Sequence, residues 1–237
     1  MAHWIAEAFR LRLMRGVEDL LRSSGYGWIA GVDEAGRGSL AGPVVAAAVA
    51  VEPDRVVPGV DDSKKLGAEA RSRLAAAIRS THPVSAVVAV SPEDIDRTNI
   101  LEATRRAMTQ ALAHLQPSPD IVLVDAVRLS PSKSDGAARS PHLPLIRGDQ
   151  ISYAVACASI LAKEARDSMM VELDARYPHY GFAKNKGYGA ADHRRALAEY
   201  GPSSVHRLTF RSVVPRPTGG RSTSSVSTAP AASVGSP

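Results

Sequence analysis

Apolar residues recur along this chain with two different spacings, and the alternation between them outlines a fold. Residues 1–22 read as one amphipathic helix, with Ile5, Ala8, Phe9, Leu13, Val17, Leu20 and Leu21 along one stripe, ended by Gly25 and Gly27. Residues 28–32 and 43–51 are short apolar runs rich in β-formers, separated by the glycine-dense segment 36–42. Residues 84–90 predict a third strand, 121–124 a fourth that ends on Asp125, and 143–146 a fifth that runs into Arg147, Gly148 and Asp149. Helices are predicted over 68–80 and 91–115, the latter opening with Ser91 as N-cap and Pro92 at the first helical position. Residues 150–176 carry the 3.6-residue period most clearly, through Ile151, Ala154, Val155, Ala158, Leu161, Ala162, Ala165 and Met169. Interleaved strands and helices predict an α/β fold, a sheet with helices packed on it.

Two segments lack any apolar period. Residues 130–140 read as a polar loop insertion, and 215–237 as a disordered tail of Pro, Ser, Thr, Ala and Gly. The expected organisation is an N-terminal helix and lead-in (1–28), one catalytic domain (29–214) and the tail (215–237).

Composition narrows the classes. At 237 residues the chain can bury a core without disulfides or a structural metal. Its single cysteine, Cys157, excludes a disulfide framework and paired-cysteine zinc sites, and is expected to pack as a small hydrophobe in a reducing cytoplasm. The longest apolar run, 43–51, falls far short of the ~20 residues of a spanning helix, so no membrane association is expected. Net charge is +5, and the stretch 176–211 holds seven Lys/Arg against Asp192 and Glu199, a candidate phosphate footprint.

Four acids stand where an acid is not the default residue. Asp33 and Glu34 end an apolar strand just before the glycine segment, Asp125 ends another, and Asp149 lies between a strand and the long helix. Strand ends are where α/β sheets build sites. Carboxylates that converge repel unless a cation sits among them, and hard divalent ions choose all-oxygen ligands of this kind. Read singly, Asp149 fits an ordinary N-cap and Asp125 a strand terminator, whereas the Asp33–Glu34 pair serves no packing purpose. Neighbours in a regular strand point to opposite faces, so both reach one cluster only where the strand ends or twists. GxGxxG, Walker, HExxH and GxSxG motifs are all absent, which leaves nucleotide cofactors and zinc unsupported.

At this point an ordered series of blocks bears on identity. Residues 31–38 (GVDEAGRG) with 40–45 (LAGPVV), 62–66 (DSKKL), 147–149 (RGD), 158–163 (ASILAK) with Arg166 and Asp167, 180–182 (YGF), 186–189 (KGYG) with His193, and His206-Arg207 with Phe210 together resemble bacterial ribonuclease HII. The resemblance spans roughly 29–211. It implies a ribonuclease H-like mixed sheet flanked by helices, with a helical C-terminal part. It implies that Asp33, Glu34, Asp125 and Asp149 bind two divalent ions, Mg²⁺ or Mn²⁺. The expected reaction is hydrolysis of RNA in RNA/DNA hybrids and 5′ of single ribonucleotides in duplex DNA, by a monomer. The backbone of Gly36, Arg37 and Gly38 would read the 2′-hydroxyl, Tyr188 would stack on the next deoxyribose, and Lys64, Lys65, Lys163 and Lys186 would contact phosphates. The chain departs from the family at Ala126, where glycine is usual, at Ser39, where proline is common, and at Ala190 and Thr209. The 24-residue interval between Asp125 and Asp149 is also longer than usual. Rival expectations are a DNA-directed nuclease of the same superfold and a catalytically inactive duplex-binding module.

Overall fold

A computed structural model describes residues 2–129 and 140–213. The predicted loop insertion, apart from Ser140, and the predicted tail lie outside the described residues. Two N-terminal helices, α1 (Ala2–Met14) and α2 (Gly16–Ser23), lead into β1 (Ile29–Ala35) and β2 (Val44–Val51). Helix α3 (Ala68–Thr81), β3 (Ser85–Val90), α4 (Pro92–Arg97) and α5 (Ile100–Ala113) follow, then β4 (Ile121–Asp125) and β5 (His142–Leu145). The chain then turns helical: α6 (Gly148–Ile151), α7 (Tyr153–Arg176), α8 (Phe182–Asn185) and α9 (Ala191–Tyr200).

The five strands form one mixed sheet in the order β3-β2-β1-β4-β5. The β1/β2 and β2/β3 pairs are antiparallel, while β1/β4 and β4/β5 are parallel. Strand β2 is buried on both faces, so it reads as continuous Val and Ala instead of alternating. Its Val44, Ala46 and Ala48 join Ala107, Met108, Ala111 and Leu112 of α5 in one core. Ala47, Val49 and Val51 join Ala75 and Ile78 of α3 and Ala154, Ala158 and Leu161 of α7 in the other. Cys157 is fully buried in this second core, as expected of a small hydrophobe.

Three expected helices divide. The 1–22 helix breaks at Arg15, and its buried apolar side chains are Leu11 and Met14, while Ile5, Phe9, Leu13 and Leu20 of the predicted stripe are exposed. Glu18 explains the seating of this segment: its buried Oε1 accepts the Ser152 hydroxyl at 2.7 Å and the Ala154 N–H at 2.9 Å, placing a carboxyl at the N-terminus of α7. The 91–115 helix keeps its Ser91 cap but is interrupted at Thr98, and Asn99 caps α5 through Glu102 N. The 150–176 helix starts at Tyr153, capped by Ser152, because α6 precedes it as a separate turn. Among the described residues no helix is long and apolar enough to cross a membrane.

Candidate active site

Register decides which acids meet. The parallel β1/β4 pairing ends with Val32 beside Val124, so Asp33 and Asp125 both lie one step further, Asp125 as the last residue of β4 and Asp33 two residues before the end of β1. Asp33, Glu34 and Asp125 line one cleft of about 210 Å³ with Gly36, Arg37, Gly38, Ser63, Lys64, Ser159, Lys163 and Tyr188. Both neighbours line the cleft although β1 runs on through them to Ala35.

Burial raises the pKa of Asp33 well above the carboxylate range, and the charges of Glu34 and Asp125 push it the same way, against hydrogen bonds from Ser159 and from the Glu34 N–H at 2.7 Å. Glu34 is also raised, by burial and by Asp125, although Arg37 Nη1 opposes this from 2.8 Å on Oε1. Its Oε2 is buried without a hydrogen-bond partner. Asp125 is raised by burial and by Asp149, while the Gly148 N–H bonds its Oδ1 at 2.6 Å.

Asp149 is not an N-cap. Arg147, in the left-handed region at φ 56°, precedes α6 without a side-chain cap, and Asp149 sits inside that turn, 3% exposed. Its Oδ2 accepts from Lys64 Nζ at 3.1 Å. The Asp125–Gly148 bond ties the end of β4 to the turn that carries Asp149.

This donor set fits a hard divalent cation in its chemistry: oxygen ligands, accumulated negative charge and an unsatisfied buried carboxylate oxygen. As the side chains stand, no three acids, histidines or cysteines among the described residues are gathered tightly enough to enclose one ion. Arg37 and Lys64 pair with Glu34 and Asp149 instead.

The remaining predicted residues divide. Lys64 and Lys163 line the cleft, the latter bonded to Asp167 Oδ1 at 2.6 Å. Tyr188 reaches it and is 39% exposed. Lys65 does not: it is exposed and pairs with Asp61 at 3.2 Å. Lys186 bonds Ala183 O at 2.6 Å and lines an adjoining cleft with Arg71 and Asp167. Arg207, counted in the basic stretch 176–211, is fully buried and so is not available to a phosphate, and Lys184 faces Asp192 at 3.6 Å. Ser63 and Ser159 are cleft residues that sequence reasoning missed; their hydroxyls are 2.9 Å apart. Only their positions inside the DSKKL and ASILAK blocks signalled them.

Two glycines of the loop differ in kind. Gly36 has φ +90°, and a Cβ there would fall 1.9 Å from Arg166 Nε, so the fold itself demands glycine. Gly38 has no positive φ, and a Cβ there would meet no atom within 4 Å, so the room it leaves faces outward.

Comparison with known proteins identifies the family. A family model described as Ribonuclease HII matches residues 30–213. Ribonuclease HII of Ruminiclostridium cellulolyticum is 45% identical over 204 residues, covering 86% of this chain and 78% of the relative. That of Nitratidesulfovibrio vulgaris is 50% identical over 193 residues, covering 79% and 88%. The crystal structure of ribonuclease H2 from Pyrococcus horikoshii superposes with a TM-score of 0.68 at 25% identity, covering 78% of this chain and 95% of that one. The sheet is thus the ribonuclease H-like one expected, and the chain belongs to the ribonuclease HII family, hydrolases with ribonuclease H activity on RNA/DNA hybrids.

Proposed function

We propose that this chain cleaves RNA/DNA hybrids and also duplex DNA on the 5′ side of an embedded ribonucleotide, leaving 3′-hydroxyl and 5′-phosphate ends. Asp33, Glu34, Asp125 and Asp149 would hold two divalent ions, Mg²⁺ or Mn²⁺. Such ions activate a water and stabilise the leaving oxygen in phosphodiester hydrolysis. The observation that carries this reading is the shared cleft: three carboxyls, each with a pKa raised by burial and by a neighbouring acid, lie against an outward-facing glycine loop and a partly exposed tyrosine.

Each residue then has a physical task. The Gly38 backbone, with no side chain above it, lets a ribose approach closely enough for main-chain groups to meet its 2′-hydroxyl, the one handle that separates RNA from DNA there. The Tyr188 ring offers a flat apolar face to the next sugar, where a second 2′-hydroxyl would clash. Lys163 and Lys64 put ammonium groups beside the acids, placed for the flanking phosphates. One copy of the chain carries every group named, so a monomer suffices.

Asp33→Asn tests the assignment. The variant should lose more than ~100-fold in turnover with Mg²⁺ or Mn²⁺ while still binding a hybrid duplex. Loss of turnover and binding together would make Asp33 a structural residue.

A further inference from the structure

Two arginines are fully buried with no carboxylate within 4.0 Å among the described residues. Arg166 of α7 donates through Nε to Pro43 O at 3.0 Å, through Nη1 to Lys186 O at 2.9 Å, and through Nη2 to Ser39 Oγ at 2.8 Å and Ala41 O at 3.2 Å. Arg207, beyond α9, donates through Nε to Gly42 O at 3.1 Å and through Nη1 to Arg37 O at 3.0 Å. Its Nη2 serves Gly36 O at 2.8 Å and Gly42 O at 2.9 Å. All but one of these bonds end on a main-chain carbonyl.

Burying a guanidinium is unfavourable, and burying two around one loop adds their mutual repulsion. A core that needed only volume would use leucine or methionine. What the pair supplies is direction. In a planar trans peptide the carbonyl of one residue and the N–H of the next point opposite ways. Drawing the Gly36 and Arg37 carbonyls inward to Arg207 therefore turns the N–H groups of Arg37 and Gly38 outward. Among the described residues, neither N–H has a hydrogen-bond acceptor in the chain. Arg166 extends the same fixing to the other side of the cleft, since it holds the Lys186 carbonyl and its guanidinium lies 5.4 Å from the centre of the Tyr188 ring.

Ser39 takes part as well. Its hydroxyl donates to Gly36 O at 2.8 Å while accepting from Arg166 Nη2 at 2.8 Å.

We propose that Arg166 and Arg207 are specificity-determining positioning residues: they shape the 36–43 loop so that the Arg37 and Gly38 N–H groups form a paired donor for the ribonucleotide's 2′-hydroxyl. This rests on the reading of the loop given above. Neither arginine touches the substrate.

The test compares two duplexes that differ by one 2′-hydroxyl, an all-DNA duplex and the same duplex with a single ribonucleotide. Their dissociation constants are measured by fluorescence anisotropy without divalent cations, so turnover plays no part. The wild type should prefer the ribonucleotide duplex several-fold. In Arg207→Lys and Arg166→Lys the Kd for that duplex should rise several-fold more than for the all-DNA duplex, removing the preference. A merely structural role would weaken both duplexes alike. If the arginine variants do not fold, Ser39→Ala, which deletes one acceptor of Arg166 and one tie to Gly36, should lower the preference in the same direction; a wild-type preference in that variant overturns the proposal. A preference that survives in folded Arg207→Lys overturns it too. A wild type with no preference overturns the 2′-hydroxyl reading of the loop itself.

Discussion

The ammonium of Lys64, whose side chain is 76% exposed, lies 3.1 Å from the Asp149 carboxylate, whose side chain is only 4% exposed. If Asp149 binds a metal as proposed, a cation brought in from solution and Lys64 would compete for one anionic group. Lys64→Gln should bind Mn²⁺ several-fold more tightly in calorimetric titration of the free protein, because a neighbouring positive charge has gone. The same variant should cleave hybrids more slowly for want of a phosphate contact. Unchanged Mn²⁺ affinity would mean that Asp149 is not a ligand.

The two loop glycines should respond in opposite ways. Gly36→Ala forces a Cβ onto the Arg166 guanidinium at φ +90° and should destabilise the fold by at least ~2 kcal/mol in urea unfolding. Gly38→Ala meets nothing inside the protein, so its unfolding midpoint should stay near that of wild type while kcat/KM on hybrids falls. A Gly38→Ala variant with full activity would remove the loop from the substrate path.

Ala126 shows why glycine suits the position after Asp125. Its φ is +46°, a left-handed backbone that an L side chain adopts at a cost of about 1–2 kcal/mol. Ala126→Gly should relieve that strain, less the entropy that glycine loses, for a net gain of about 0.5–1 kcal/mol in urea unfolding. A loss of stability would show that the alanine side chain packs usefully there.

Acid should unfold the protein partly through histidine. The buried His206, facing His193 Nε2 at 2.9 Å and the Ser203 N–H at 3.0 Å, has a pKa lowered to about 4 by burial and by His193. His82, which accepts from Glu52 N, is lowered to about 4 by burial. A folded pKa below the ordinary 6.5 means that the stability contribution is present above 6.5 and is lost as pH falls toward 4. The cleft carboxyls have raised values and run the other way, being relieved as pH falls. Comparing thermal midpoints of wild type and His206→Gln from about pH 7 to about pH 4.5 separates the two: the variant should lose less over that range. Parallel curves would leave His206 out of the acid response.

The main strands and the acids were legible because each is a local event: an apolar run that stops on a carboxylate. Asp33 and Asp125 needed only that pattern, and parallel register then set them side by side. Asp149 read as an N-cap because nothing in sequence separates the turn of α6 from α7, whose true cap is Ser152. The 1–22 stripe misled because the segment before the break at Arg15 buries Leu11 and Met14, off the stripe, and because the anchoring residue after it proved to be an acid, Glu18. Arg166 and Arg207 were the least legible, since a buried arginine looks in sequence like any surface charge. Their meaning lies mostly in loop carbonyls far away along the chain, such as those of Pro43 and Gly42.

If the cleft recognises a ribonucleotide and cuts beside it, one 2′-hydroxyl in a DNA duplex is enough to make that duplex a substrate. Cleavage with Mg²⁺ of an end-labelled duplex carrying one ribonucleotide, run beside the identical all-DNA duplex, measures this without intermediaries. The expected result is a single product from the first, ending immediately 5′ of the ribonucleotide, and none from the second. Cutting of both duplexes, or of neither with Mg²⁺ or Mn²⁺, would contradict junction recognition by this cleft.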